Sequence, residues 1–297
     1  MKDVMIPKAS LGVTTWWEIP PFEIPYEKLE DAWTAQGLDE KHLLDPPREA
    51  KALRRAVGEH KTPRLLARPL KRGSSWALVD EQVVGDEGLK HHIEATARII
   101  ADGDGVKRLH ADGNGFADKI RVSYERQRTI VNQNDLSNLL VKMIYVCGGI
   151  ALRKKGIVYF VPQSGSVMWE AVSRVVTALG IDATVARPRP EVDEEVIATV
   201  LNGILNEAKQ DIDRIDEEVQ KTITTPDDEK ALGTRALRSR VTEVDQLRGK
   251  VSDYERLLGK AMPEIQFALM NLSAAVTEAE ARVQAMETAR KAASAAA

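Results

Sequence analysis

Residues 194–219 read EEVIATVLNGILNEAKQDIDRIDEEV, and residues 244–279 read VDQLRGKVSDYERLLGKAMPEIQFALMNLSAAVTEA. In the first stretch Ile197, Leu201, Leu205, Ala208, Ile212, Ile215 and Val219 recur at spacings of mostly 4 and 3. In the second Val244, Leu247, Val251, Tyr254, Leu258, Ala261, Ile265, Ala268, Leu272, Ala275 and Ala279 do the same. Alternating 3 and 4 keeps apolar residues on one seam of a helix, the pattern of coiled coils. The chain therefore ends in a long helical hairpin. Thr225 caps its second helix and Pro226 suits the first helical position. At 1.5 Å per residue, residues 192–223 make a rod of about 48 Å and residues 226–290 one of about 97 Å. The first cannot cover the second. Either the longer helix breaks at Pro263, since a proline removes a helix hydrogen bond, giving three helices, or Leu258, Ile265 and Leu272 pair with a second chain.

Working outward, Arg187-Pro-Arg-Pro190 closes a head of residues 26–190, and the arm is residues 191–297. Residues 1–25, with Trp16, Trp17, Pro20, Pro21, Phe22 and Pro25, lack helical and strand period and read as an extended strap on the protein's own surface, or as an arm for a partner. In the head, Tyr26–Gln36 is a helix stopped by Gly37, and Asp45-Pro46-Pro47 opens another that runs to Gly58. From Thr62 to Tyr124 the period turns to two: Ile93, Ala95, Ala97 and Ile99 alternate with polar residues, as do Ile120, Val122 and Tyr124. Glycine-rich turns at 85–88, 102–105 and 112–115 separate these runs, because Asp-Gly supplies the positive φ of tight hairpins. An antiparallel meander of four or five strands is expected. A helix over 136–147 capped at Asn134-Asp135, a hairpin over 150–162 tipped by Arg153-Lys154-Lys155-Gly156, a helix over 166–179 with Met168, Ala171, Val172, Val175 and Val176 inward, and a strand over 181–186 complete an α+β head with an antiparallel sheet and flanking helices.

The formal net charge of -3 divides unevenly, about +4 over residues 1–190 and -7 over the arm. Residues 48–72 hold nine basic groups against Glu49 and Glu59. Arg48, Lys51 and Arg55 form a stripe on the second helix; with Arg64, Arg68 and the tip Arg153, Lys154 and Lys155 they make a candidate surface for the phosphates of DNA or RNA. The rival reading is a solvated charged face.

Catalytic motifs fail one by one. No phosphate-cradling G-x-x-x-x-G-K-[ST] or G-x-G-x-x-G run occurs, and Gln163-Ser-Gly-Ser166 lacks the frame of a nucleophile elbow. The loop from Asp112 has Phe116, Ala117 and Ser123 where a calcium loop needs a ligand, glycine and glutamate. His92/Glu94 and His110/Asp112 are strand-face pairs, but a turn centred on Gly103-Asp104 puts His110 opposite Ala97, about 17 Å from His92. Neither a metal nor a cofactor is expected. The single cysteine, Cys147, and the absence of a signal peptide or a membrane-length apolar run fit a soluble cytoplasmic chain.

The run Gly148-Gly149-Ile-Ala-Leu-Arg153-Lys-Lys-Gly156-Ile-Val-Tyr159-Phe160-Val161-Pro162, followed by a helix and an acidic helical tail, resembles an uncharacterised family of phage and prokaryotic proteins. That resemblance implies no function. The expectation is a non-enzymatic, nucleic-acid-associated homo-oligomer whose arm assembles or recruits a protein. The alternative is an assembly factor or inhibitor of a host complex that never touches nucleic acid.

Overall fold

The computed structural model describes residues 10–71, 74–83, 89–101, 107–113, 115–153, 157–190, 193–224 and 232–296. In chain order the elements are β1 (Gly12–Glu18), β2 (Glu23–Pro25), α1 (Tyr26–Ala35), α2 (Glu49–Gly58), β3 (Leu65–Lys71), β4 (Ser75–Val83), β5 (Leu89–Ala101), β6 (Lys107–Asp112), α3 (Ala117–Gln127) and β7 (Ile130–Asn132). They continue with α4 (Gln133–Val146), β8 (Ile150–Ala151), β9 (Tyr159–Pro162), α5 (Gln163–Ala178), β10 (Thr184–Ala186), α6 (Glu194–Thr224), α7 (Thr234–Leu258) and α8 (Pro263–Ala296). The chain is α+β: antiparallel sheets with helices, then three long helices packed together. It divides into two units, one of residues 1–18, 141–173 and 184–297, the other of residues 19–140 and 174–183.

The second unit is built on the meander β3-β4-β5-β6, antiparallel throughout. Four strands form, and the alternation expected to make a fifth does not. Ile120, Val122 and Tyr124 lie on α3. Spacing i, i+4 is shared by a strand face and a helix face, and Ile120 and Tyr124 are buried while Val122 is 71% exposed, so helical period decided the packing. Ala52, Leu53, Ala56 and Val57 of α2 join Ile120 and Tyr124 against Leu65, Leu78, Ala95, Ala97 and Ala111 of the sheet. The β4–β5 register shifts between Leu78 and Val79, leaving Glu94 as a bulge residue, which is why Ile93 is exposed and Ala95 buried. Gly113 passes so close to the Glu94 carbonyl, at φ +127°, that no Cβ fits. His110 pairs with Arg98, one position from the expected Ala97, and His92 pairs with Asp80. The turns at 84–88 and 102–106 lie outside the described residues.

Two helix starts differ from expectation. The α2 helix begins at Glu49 with Arg48 as its extended N-cap, so the two prolines precede it, and Arg48 stands before the helix rather than on its face. At α4 the cap is Asn132: its Oδ1 accepts from the N–H groups of Asn134 and Asp135, while Asp135 Oδ2 accepts from Asn132 N–H, a reciprocal cap.

In the first unit Gly12–Glu18, expected as part of a surface strap without strand period, is an inner strand of the sheet β10-β1-β9-β8. Trp17 stacks on Tyr159 with ring centroids 5.1 Å apart, and Trp169 Nε1 donates to Thr15 Oγ1 at 3.2 Å. Met168 points outward and Trp169, one position on, is fully buried. The arm's second rod is two helices. Gly259 takes left-handed φ at +61°, Lys260 N–H returns to the Glu255 carbonyl, and Pro263 opens α8. The Glu255 carboxylate fastens that turn, accepting from Met262 N–H at 2.6 Å and Gln266 Nε2 at 3.0 Å. At the other end α7 begins at Thr234, and the expected cap at Thr225-Pro226 lies outside the described residues. The three helices share one core: Ile204, Ile215 and Val219 of α6, Val244, Val251 and Tyr254 of α7, Leu269, Leu272 and Val276 of α8. At about 46, 38 and 51 Å they match in length as a single pair did not.

Candidate interaction surfaces

The basic residues of the meander unit have acidic partners within the fold. Arg64 donates to both carboxylate oxygens of Asp80, from Nε at 3.0 Å and Nη2 at 2.8 Å. Arg68 donates twice to Glu81 Oε1, at 3.0 and 2.6 Å. Both acids come from β4, the strand paired with β3, so the sheet register places them there. Arg48 pairs with Asp45 at 3.0 Å in the open. Lys51 and Arg55, one turn apart on α2, converge on Asp135. Burial alone raises the Asp135 carboxyl, but hydrogen bonds from Lys51 and Arg55, with the Arg55 charge, hold it below the usual carboxylate range. Next to this cluster, Glu59 takes hydrogen bonds from Arg126 and Gln127. Burial raises its carboxyl too, and hydrogen bonds from Ser123, Gln127 and Arg126 outweigh it, so this carboxyl is also depressed. Five of the eight residues expected to contact phosphate are thus engaged by carboxylates. Arg153 is exposed in the first unit, and Lys154 and Lys155 lie outside the described residues.

The seam residues Leu258, Ile265 and Leu272 are buried inside the three-helix core of one chain. Of the two expected outcomes the fold takes the first: the chain breaks before Pro263 and α8 folds back as the cover of this seam. A different face of α8 is open. From Ile265 to Thr277 the helix carries no charged side chain, yet Phe267 and Met270 are 61% and 55% exposed. Phe267 and Met270 lie outside the 3–4 apolar stripe of this helix, so heptad spacing does not mark them.

The first unit also contains a groove of about 820 Å³. Its floor is α6 and α7, from Glu207 to Ile215 and from Glu243 to Leu257, and its wall is the end of α4 with the β9–α5 junction, including Tyr145, Val146, Pro162 and Ser164. Lys250 crosses beneath it, donating to Glu207 Oε1 at 2.5 Å and to the Gly149 carbonyl at 2.8 Å, with its Nζ 5.3 Å from the centre of the Tyr145 ring. Tyr254 donates to the Gly148 carbonyl at 3.0 Å. Burial, and secondarily Glu207, push the Tyr254 hydroxyl far up, so it stays a neutral donor. Burial pushes the Cys147 thiol up to about 12. None of these groove residues was a sequence candidate, since their convergence depends on contacts between helices more than 40 residues apart.

Among the described residues no helix is long and apolar enough to cross a membrane. The class is thus an α+β protein with a three-helix bundle, whose open features are an apolar helix face and a groove. The chain belongs to DUF6744, a family of unknown function, whose model matches residues 10–291. The resemblance read from residues 148–162 therefore extends over most of the chain. Comparison with curated proteins and with solved structures gives no match.

Proposed function

We propose that this protein is a non-enzymatic assembly factor that recruits a protein partner through its helical bundle. The observation that carries this reading is the outer face of α8, where Phe267 and Met270 stand in solvent on a stretch that carries no charge from Ile265 to Thr277. Large apolar side chains on a charge-depleted face are the composition of a protein interface core. The meander unit supports the same choice from the other side: the Arg64 guanidinium is held by both oxygens of Asp80 and that of Arg68 donates twice to one oxygen of Glu81, so the donor pairs that phosphate recognition uses are engaged within the fold. The test compares the full chain with Phe267→Glu/Met270→Glu in pull-downs and in mass measurement in solution. A partner or a dimer lost in the double variant supports the reading. An unchanged partner list and unchanged mass overturn it. The nucleic-acid reading has its own assay: binding to mixed-sequence DNA that persists at physiological salt and falls when Arg153, Lys154 and Lys155 become Glu would replace this proposal.

A further inference from the structure

Glycine in the middle of a helix costs stability relative to alanine, so each such glycine needs a reason. Two lie in the bundle, and they differ. Gly203 of α6 packs on β8: a Cβ there would meet Ile150 Cδ1 at 2.9 Å, the Ala151 carbonyl at 3.3 Å and Leu152 Cδ2 at 3.4 Å. Its own fold demands it. Gly249 of α7 has nothing within 4 Å of the position a Cβ would take, and it lies on the groove floor. The chain's own packing gives no reason for a bare backbone at that point. A ligand lying against α7 would.

The groove supplies the rest of a site. Its lining on α7 runs from Glu243 to Leu257, about 21 Å along the helix, the span of roughly six residues of extended chain. One wall is apolar and partly open, with Tyr145 46% exposed beside Val146 and Pro162. Glu207, Asp211, Glu243 and Asp253 oppose Arg214, Lys250 and Arg256, so carboxylates outnumber cations. Arg214 is shared between Asp211 and Glu243, at 3.1 and 3.2 Å. The groove is therefore elongated, aromatic on one side and net negative.

We propose that it binds an extended peptide segment of a partner protein that alternates apolar with basic side chains, its backbone passing over Gly249, an apolar side chain on Tyr145 and Val146, and a basic one exchanging with Arg214 at Asp211 and Glu243. The length and the amphipathic lining favour a peptide over a small cation, which would fill a fraction of the groove. The site is separate from the α8 face, and either can fail alone.

The probe is a fluorescently labelled six-residue peptide of alternating leucine and arginine, with a leucine–glutamate peptide as control, followed by anisotropy with the full chain. The expected result is saturable binding of the basic peptide alone, weakened at least tenfold by Gly249→Trp, which fills the floor, and by Tyr145→Ala, which removes the wall. Helicity measured by circular dichroism checks that Gly249→Trp folds; if it does not, Tyr145→Ala and Asp211→Asn carry the test. Absence of saturable binding, equal binding of the acidic peptide, indifference to the groove variants, or displacement by spermidine at concentrations matching the peptide would each overturn the proposal.

Discussion

Arg55 reaches Asp135 with Nη2 2.6 Å from Oδ2, joining the second helix of the meander unit to the first turn of α4. Asp135 is nearly inaccessible and Arg55 only 12% exposed, so the pair is desolvated, and Lys51 completes it from the solvent side. Because the same carboxylate closes the Asn132 cap, one side chain ties a helix start to a helix face.

Asp135→Asn is expected to cost about 3 kcal/mol, since breaking a buried pair strands the remaining charge. Urea unfolding measures it. The pH dependence follows from the depressed carboxyl: its contribution is complete above the unfolded carboxylate value of about 4 and is lost as pH falls through the lower folded value. The variant should lose less stability on acidification than the parent. Equal acid sensitivity would remove Asp135 from the account.

The α7–α8 turn depends on Glu255, whose two oxygens serve Met262 N–H and Gln266. Glu255→Ala should destabilise the bundle by about 1–2 kcal/mol, the scale of a lost helix cap. Glu255→Gln keeps an acceptor for Met262 N–H and should recover part of this. Thermal melting followed by helix signal compares the three.

How much of this was legible follows from where the determinants sit. The arm was readable because a heptad seam is local, and Pro263 marked the break that the mismatch in rod length required. The α3 helix reads as a strand because Ile120 and Tyr124, four apart, satisfy both periods, and only the sheet packed against them chooses the one that leaves Val122 exposed. The basic stripe was visible as charge, but its partners are 13 residues away for Arg68, 16 for Arg64 and 84 for Lys51. Cation content is a property of a segment, whereas free cationic surface is a property of the fold. The groove left no local signal except Gly249, an unexplained glycine in a heptad.

The two bundle glycines should respond oppositely to the same substitution. Gly249→Ala adds a methyl into open space and recovers helix propensity, a gain of about 0.5–1 kcal/mol. Gly203→Ala forces Ile150 and Leu152 of β8 and its loop away from α6 and should cost about 1–3 kcal/mol. Chemical denaturation of both variants decides it, and a loss at Gly249 would mean that its neighbourhood is already filled.

Cys147 gives a last prediction, about reactivity. Its side chain is buried at the end of α4, where the first turn of α5 comes so close that Gly165 has no room for a Cβ against the Cys147 carbonyl. Burial raises the thiol to about 12, so at pH 8 only about one molecule in ten thousand carries the thiolate that attacks an electrophile. Labelling of the native protein by a disulfide reagent should therefore be far slower than that of a free thiol, and should reach one equivalent promptly once denaturant opens the unit. Gly165→Ala, by pushing the two helices apart, should speed native labelling while leaving the denatured rate unchanged. Rapid modification of the native parent protein at pH 8 would show that this helix junction opens more readily than its packing implies.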